Sequence, residues 1–142
     1  MNYEDDKPNS FCGIFGIYGS ETASAQAYYG LHALQHRGQE ASGIVTRSLN
    51  RDNRAHFNIV KGEGLVSEVF ADHNLLTDVL LGNSAIGHNR YSTTGSAKSR
   101  KNIQPFMVNY RLGNLAIGHN GNLTNAKKLR EELVNEGAIF QT

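Results

Sequence analysis

Cys12 is the only cysteine in the 142-residue sequence. That scarcity excludes an intrachain disulfide framework and any metal site made from this chain's thiolates alone. An excess of charge of one sign is missing too. With 14 basic and 13 acidic residues the formal net charge is +1, so no global field points to nucleic acid, a membrane surface or a strongly acidic partner. No apolar run approaches the ~20 residues of a spanning helix, and no membrane partner is expected. The leader Met1 to Ser10 carries Glu4, Asp5, Asp6 and Lys7 around Pro8. It lacks the apolar stretch of a secretory signal, which makes the cytoplasm the default location. Phosphate-loop text is absent: Gly62-Glu63-Gly64 lacks the later glycine of a dinucleotide loop, and no P-loop pattern occurs. His32 and His36 stand four apart without an HExxH pattern or a cysteine partner, so both are read as structural.

What remains suits one α/β domain, since a chain of this length can bury one core and is too short for two ordinary ones. Phe11 to Tyr18 alternates apolar residues with glycine, a strand signature. Ala23, Ala27, Leu31 and Leu34 recur at helical spacing behind Ser20 and Thr22, which can cap, and predict a helix over Thr22 to His36. Gly43 to Thr46 and Phe57 to Val60 read as strands split by a polar loop, Ser48 to Arg54. Leu65 to Phe70 and Leu75 to Leu81 read as short helical segments. A further helix is predicted after Asn122, capped by Thr124 or Asn122, with Ala126, Leu129 and Leu133 on one face and Gly137 to stop it. Ile139 to Thr142 is apolar text without a closing element, as expected of a truncation.

A five-residue repeat stands out: Ala85-Ile86-Gly87-His88-Asn89 and Ala116-Ile117-Gly118-His119-Asn120. Each copy is an apolar strand ending in polar groups that can project into a cleft, and chance convergence of short strand ends is the plain alternative. Asn120-Gly121 offers a side-chain amide and an unhindered backbone N–H, a plausible oxyanion pair; the same dipeptide is a strong hairpin signal, but the capped helix that follows in place of a second strand weighs against a hairpin. Arg90 precedes Tyr91-Ser92-Thr93-Thr94, so a guanidinium fork beside hydroxyls can hold an amino-acid carboxylate, or be an ordinary surface arginine. Arg37 lies in a polar, glycine-containing loop, equally open to function and to capping. His88 and His119 are suited to orienting their neighbours by hydrogen bonding. A lone cysteine is commonly a small buried hydrophobe, and Cys12 has no histidine or carboxylate at motif spacing to activate it. Cleavage before Cys12 would remove that difficulty, because the freed α-amine, with a pKa of roughly 7.7 to 8.0, can serve as base for the thiol of the same residue.

Four separated blocks carry a resemblance. Cys12-Gly13-Ile14-Phe15-Gly16, Leu34 through Ile44, Gly87-His88-Asn89-Arg90-Tyr91-Ser92-Thr93-Thr94-Gly95 and His119-Asn120-Gly121-Asn122-Leu123-Thr124-Asn125 resemble, in order, the glutaminase domain of amidophosphoribosyltransferases. The resemblance implies an N-terminal nucleophile hydrolase fold, a four-layer αββα sandwich of which only the N-terminal part is present. It implies hydrolysis of glutamine to glutamate and ammonia. The ammonia would pass to a phosphoribosyltransferase domain, displacing pyrophosphate from phosphoribosyl pyrophosphate to give phosphoribosylamine, the first committed step of purine synthesis. By matching position Cys12 is the nucleophile, Asn120 and Gly121 form the oxyanion hole, and Arg90 grips the glutamine carboxylate. Tyr91 and Thr93 line that pocket, and Arg37 has a supporting role. Residues 1–11 resemble a propeptide, leaving 12–142 as a truncated glutaminase domain.

The resemblance also bounds the chain. The acidic residue that holds the glutamine ammonium belongs to a stretch expected just after Thr142. No cofactor is expected in the chain itself; Mg2+ and the iron–sulfur cluster of some members are expected on the parent's acceptor part, as is assembly of the full-length protein into a homotetramer. The chain alone is therefore expected to be a poor glutaminase with an uncovered apolar face. Among rivals, glucosamine-6-phosphate synthase and asparagine synthetase have the cysteine directly after the initiator methionine, and the sugar synthase has tryptophan after the arginine. Here Phe11 precedes Cys12 and Tyr91 follows Arg90. Two rivals of other classes are a non-catalytic fragment and a generic α/β ligand-binding domain with a buried structural cysteine.

Overall fold

A computed structural model describes residues 12–91, 102–121 and 123–140. The chain is mixed α/β with antiparallel sheets, as expected. β1 (Gly13–Tyr18), β2 (Ala41–Leu49), β3 (Ala55–Glu63) and β4 (Ser84–Arg90) form one sheet in the order β1-β4-β2-β3. β5 (Phe106–Tyr110) and β6 (Gly113–Ile117) form a separate hairpin. Helix α1 (Ala23–Ala33), the single turn α2 (Val66–Val69) and a π-type turn over Leu75–Val79 pack on one face of the four-stranded sheet.

The core lies between α1 and that sheet. Ala23, Ala27 and Leu31, spaced four apart, are completely buried with Ile44, Val66, Phe70, Leu80 and Ala85. Full burial of Leu31 and Phe70 contributes about 1.5–3 kcal/mol each. Two glycines set how closely the layers approach: a Cβ on Gly30 would lie 2.3 Å from the Phe15 ring, and one on Gly87 would lie 2.8 Å from Leu31. Strand alternation then divides the side chains. Ala85, Gly87 and Asn89 of β4 face the helices, while Ile86, His88 and Arg90 face the other way, toward the hairpin.

Several local readings change in detail. The predicted helix over Thr22 to His36 stops at Ala33 and tightens into a 3₁₀ turn over Gln35–Arg37, which removes His32 and His36 from one continuous helix. The α1 N-cap position, Thr22, makes no side-chain cap bond, and Gln26 Nε2 bridges Ser20 Oγ at 2.8 Å and Thr22 Oγ1 at 2.9 Å instead. Helix α3 (Ala126–Asn135) has Asn125 at its N-cap position, one residue after Thr124 and three after Asn122. It ends as expected at Gly137, whose φ is +92°. The N–H of Gly137 reaches the Val134 carbonyl at 3.0 Å and that of Ala138 the Leu133 carbonyl at 2.8 Å, the paired bonds of a glycine helix stop. β5 was not anticipated from the sequence.

On the hairpin, Val108 faces Leu115 and Phe106 faces Ile117 across the register. Directly opposed residues share a face. Val108, Tyr110, Leu115 and Ile117 are all exposed, and together they form an apolar surface on one face of the hairpin.

Candidate active site

The register of β1 on β4 brings the separated motifs together. Gly13 pairs with Asn89, so Cys12, one residue earlier, meets the chain as it leaves β4. Its Sγ lies 3.8 Å from the Tyr91 carbonyl oxygen, and the residue is partly exposed. Arg37, from the 3₁₀ turn, donates through Nε to the Cys12 carbonyl at 3.3 Å. Arg90 is the last residue of β4, half-buried. Tyr91, just beyond it, is 43% exposed. Thr93 lies outside the described residues.

The loop carrying Arg37 is stitched to this strand end. Gln35 donates through Nε2 to the Gly38 carbonyl, and its Oε1 accepts from the Val66 N–H at 2.7 Å, joining the loop to α2. Gly38 lies flat against the backbone, where a Cβ would sit 2.8 Å from the carbonyl carbons of Asn89 and Arg90. The Glu40 N–H then donates to the Arg90 carbonyl at 3.1 Å. Beneath, the fully buried Asn89 donates through Nδ2 to the Leu31 carbonyl at 2.7 Å and accepts from Ser42 Oγ at 3.1 Å. Both ends of its amide are thus satisfied, the condition for keeping such a group inside a core.

Asn120 and Gly121 sit between β6 and α3, both exposed. The hairpin reading of this dipeptide therefore does not hold: the β5–β6 turn is Arg111-Leu112, closed by the Tyr110–Gly113 pair with Gly113 at φ +130°. The two copies of the pentapeptide repeat meet here. His88 Nε2 lies 3.2 Å from the carbonyl oxygen of His119, so the residue before Arg90's neighbour Asn89 touches the residue before Asn120. Burial pushes the His88 pKa down to about 4, against the raising effect of its backbone bond; the nearby His119 and Arg90 lower it further. Lys61 on β3 is also lowered by burial and donates to the Ile103 carbonyl at 2.7 Å.

Sequence reasoning found Cys12, Arg37, Arg90 and Tyr91, which the fold gathers, and missed Gln104, Ser42, Asn89 and Gln35, which hold the loops in place. The repeat singled out the segment containing Asn89. Gln104 left no local pattern, since its role depends on contacts made across two sheets. Among the described residues no group of three or more His, Cys, Asp or Glu side chains is arranged to hold a metal ion. With a single cysteine in the chain, the residues present do not fit an iron–sulfur cluster, which needs several thiolates.

Comparison with known proteins places this arrangement. Across its whole length the chain is 46% identical to an amidophosphoribosyltransferase of Lacticaseibacillus casei, 70% of which it covers. The chain belongs to the amidophosphoribosyltransferase family. Chloroplastic amidophosphoribosyltransferase 2 of Arabidopsis thaliana is 51% identical over 97% of the chain, and the Bacillus subtilis enzyme 47% over 94%. The chain spans about a quarter of the length of these two relatives, 23% and 27%. Two solved members superpose closely. One, described as the allosteric regulatory enzyme of purine biosynthesis, matches at TM-score 0.79. The other, the glutamine phosphoribosylpyrophosphate amidotransferase of B. subtilis complexed with ADP and GMP, matches at 0.76. Each is 45% identical over 91% of this chain and is covered to 26% of its own length. The fold is thus the N-terminal nucleophile hydrolase type of these amidophosphoribosyltransferases. No protein-family model matches the chain.

Proposed function

We propose that this chain is the glutamine-hydrolysing part of an amidophosphoribosyltransferase. The observation that carries the reading is the convergence of Cys12, Arg37, Arg90 and Tyr91 at one end of β1 and β4, with the Asn120 segment tied to the same strand through His88. Residues 1–11 are a propeptide, and its removal frees the Cys12 α-amine. That amine takes the proton from the thiol, and the thiolate attacks the side-chain carbonyl of glutamine. The carbonyl oxygen gains negative charge, which the Asn120 side-chain amide and the Gly121 N–H stabilise. As the tetrahedral adduct collapses, the C–N bond breaks, the nitrogen takes the proton from the α-amine and ammonia leaves a thioester. Water adds to the thioester and returns glutamate and the free thiol. Arg90 pairs with the substrate carboxylate; among the described residues its guanidinium makes no hydrogen bond or ion pair that would compete. Tyr91 and Thr93 line that pocket, while Arg37 steadies the Cys12 backbone.

In the whole protein the ammonia passes to a phosphoribosyltransferase part and displaces pyrophosphate from phosphoribosyl pyrophosphate, giving phosphoribosylamine. Mg2+ belongs to that part, and the full-length protein is a cytoplasmic homotetramer. No helix among the described residues is long and apolar enough to cross a membrane. The deciding experiment treats the protein, with Cys12 exposed, with a glutamine-analogue electrophile. A covalent adduct on Cys12 that disappears in Cys12→Ala is expected. An unmodified Cys12, with its terminus free, would end the glutaminase reading.

A further inference from the structure

The backbone of His119, next to Asn120, is held at both of its polar groups, the N–H and the carbonyl, by two side chains outside the proposed catalytic set. The His119 N–H donates to Gln104 Oε1 at 2.7 Å, and the His119 carbonyl accepts from His88 Nε2 at 3.2 Å. His88 is 1% exposed and Gln104 9%. Because its partner is a carbonyl oxygen, His88 must carry its proton on Nε2. Nδ1 is then a bare acceptor, buried with no hydrogen-bond partner among the described residues. A phenylalanine or leucine would fill this volume without stranding a polar atom, so packing alone does not account for the imidazole.

The clamp is anchored to the same sheet that carries Cys12. Lys61 Nζ bonds the carbonyls on either side of Gln104, Ile103 at 2.7 Å and Pro105 at 3.4 Å. The Gln104 carbonyl packs where a Cβ on Gly43 would stand, 2.4 Å away. His88 itself lies on β4, next to β1. We infer that His88 and Gln104 are positioning residues that fix the Asn120-Gly121 segment relative to Cys12, holding its donors where the oxyanion of the substrate will form. The inference rests on the proposed glutaminase reading and goes beyond it in naming what sets the geometry of the hole. Preorganised donors act only when aimed at the developing charge, and displacement by about 1 Å can cost 10²-fold in rate.

The test exposes Cys12, reads amide resonances from the chain and turnover from the full-length protein, and compares His88→Phe, Gln104→Met and His88→Gln, the last keeping an N–H donor. Amide resonances of Asn120 and Gly121 are expected to move in the first two variants and to return toward wild type in His88→Gln. Glutamine turnover should fall about 10- to 100-fold in kcat, with KM within about twofold, and recover in His88→Gln. Unchanged Asn120 and Gly121 resonances in a folded His88→Phe would overturn the inference. So would a KM effect without a kcat effect. If His88→Phe does not fold, Gln104→Met, which alters the other arm of the clamp, gives the same two readings. A full-length wild-type protein with Cys12 exposed that fails to hydrolyse glutamine sinks the glutaminase reading, and the amide resonances then decide the clamp by themselves.

Discussion

Acidification from pH 7 to pH 4 should destabilise this protein through one identifiable group, His88. In the folded chain burial depresses its pKa from 6.5 to about 4. In the unfolded chain the imidazole is hydrated and takes its proton near 6.5. Between those values the unfolded state binds more protons than the folded one, so stability falls as pH falls. The loss begins near pH 6.5, is largely complete by pH 4, and at about 1.4 kcal/mol per pKa unit amounts to about 3 kcal/mol. For a domain of this size that is a sizeable share of the ~5–15 kcal/mol total. The sequence contains no tryptophan, so urea unfolding is best followed by far-ultraviolet circular dichroism at several pH values across this range. Wild type should lose about 3 kcal/mol more than His88→Gln, which cannot titrate; subtraction removes the carboxylates common to both. Parallel stability curves, within about 1 kcal/mol from pH 7 to pH 4, would refute the assignment of a buried neutral imidazole.

Three further outcomes follow from particular contacts. Asn89→Leu removes the partner of the Leu31 carbonyl and leaves the Ser42 hydroxyl only its 3.5 Å bond to the Gly64 carbonyl, and should lower unfolding free energy by about 1–3 kcal/mol for the carbonyl left unpaired, read by urea titration. Gly38→Ala pushes a methyl group against the Asn89 and Arg90 backbone at 2.8 Å; a stability loss of about 1–3 kcal/mol and a raised KM for glutamine are expected, and wild-type values for both would show that the loop does not set the strand end. Arg90→Lys replaces a planar fork by a point charge. Steady-state kinetics should show KM for glutamine raised about 10-fold or more with little change in kcat, whereas an unaltered KM would remove Arg90 from carboxylate binding.

Much of this chain is legible from local text. Helix α1 follows from alanine and leucine at helical spacing, β1 from its alternation, and the end of α3 from Gly137, because each depends on residues a few positions apart. The proposed nucleophile follows from the one cysteine and its neighbours, and the family from four blocks in order. Those patterns are one-dimensional and survive without knowledge of the fold. The helix pattern after Asn122 likewise weighs against a hairpin at Asn120-Gly121, and the chain there does lead from β6 into α3; strand β5, which carries no such local signal, shows the limit. The pentapeptide repeat shows it again. Two copies, 31 residues apart in sequence, become a single contact between His88 and His119 only because one copy ends in the four-stranded sheet and the other leaves the hairpin. Gln104 acquires its role in the same way, by standing between Gly43 on one sheet and His119 beyond the other. Which residues are chemically capable was thus written in the sequence. Which of them meet, and which buried side chains hold them there, required the closure of two sheets, because hydrogen bonds between distant segments depend on tertiary distance and leave no periodic trace along the chain.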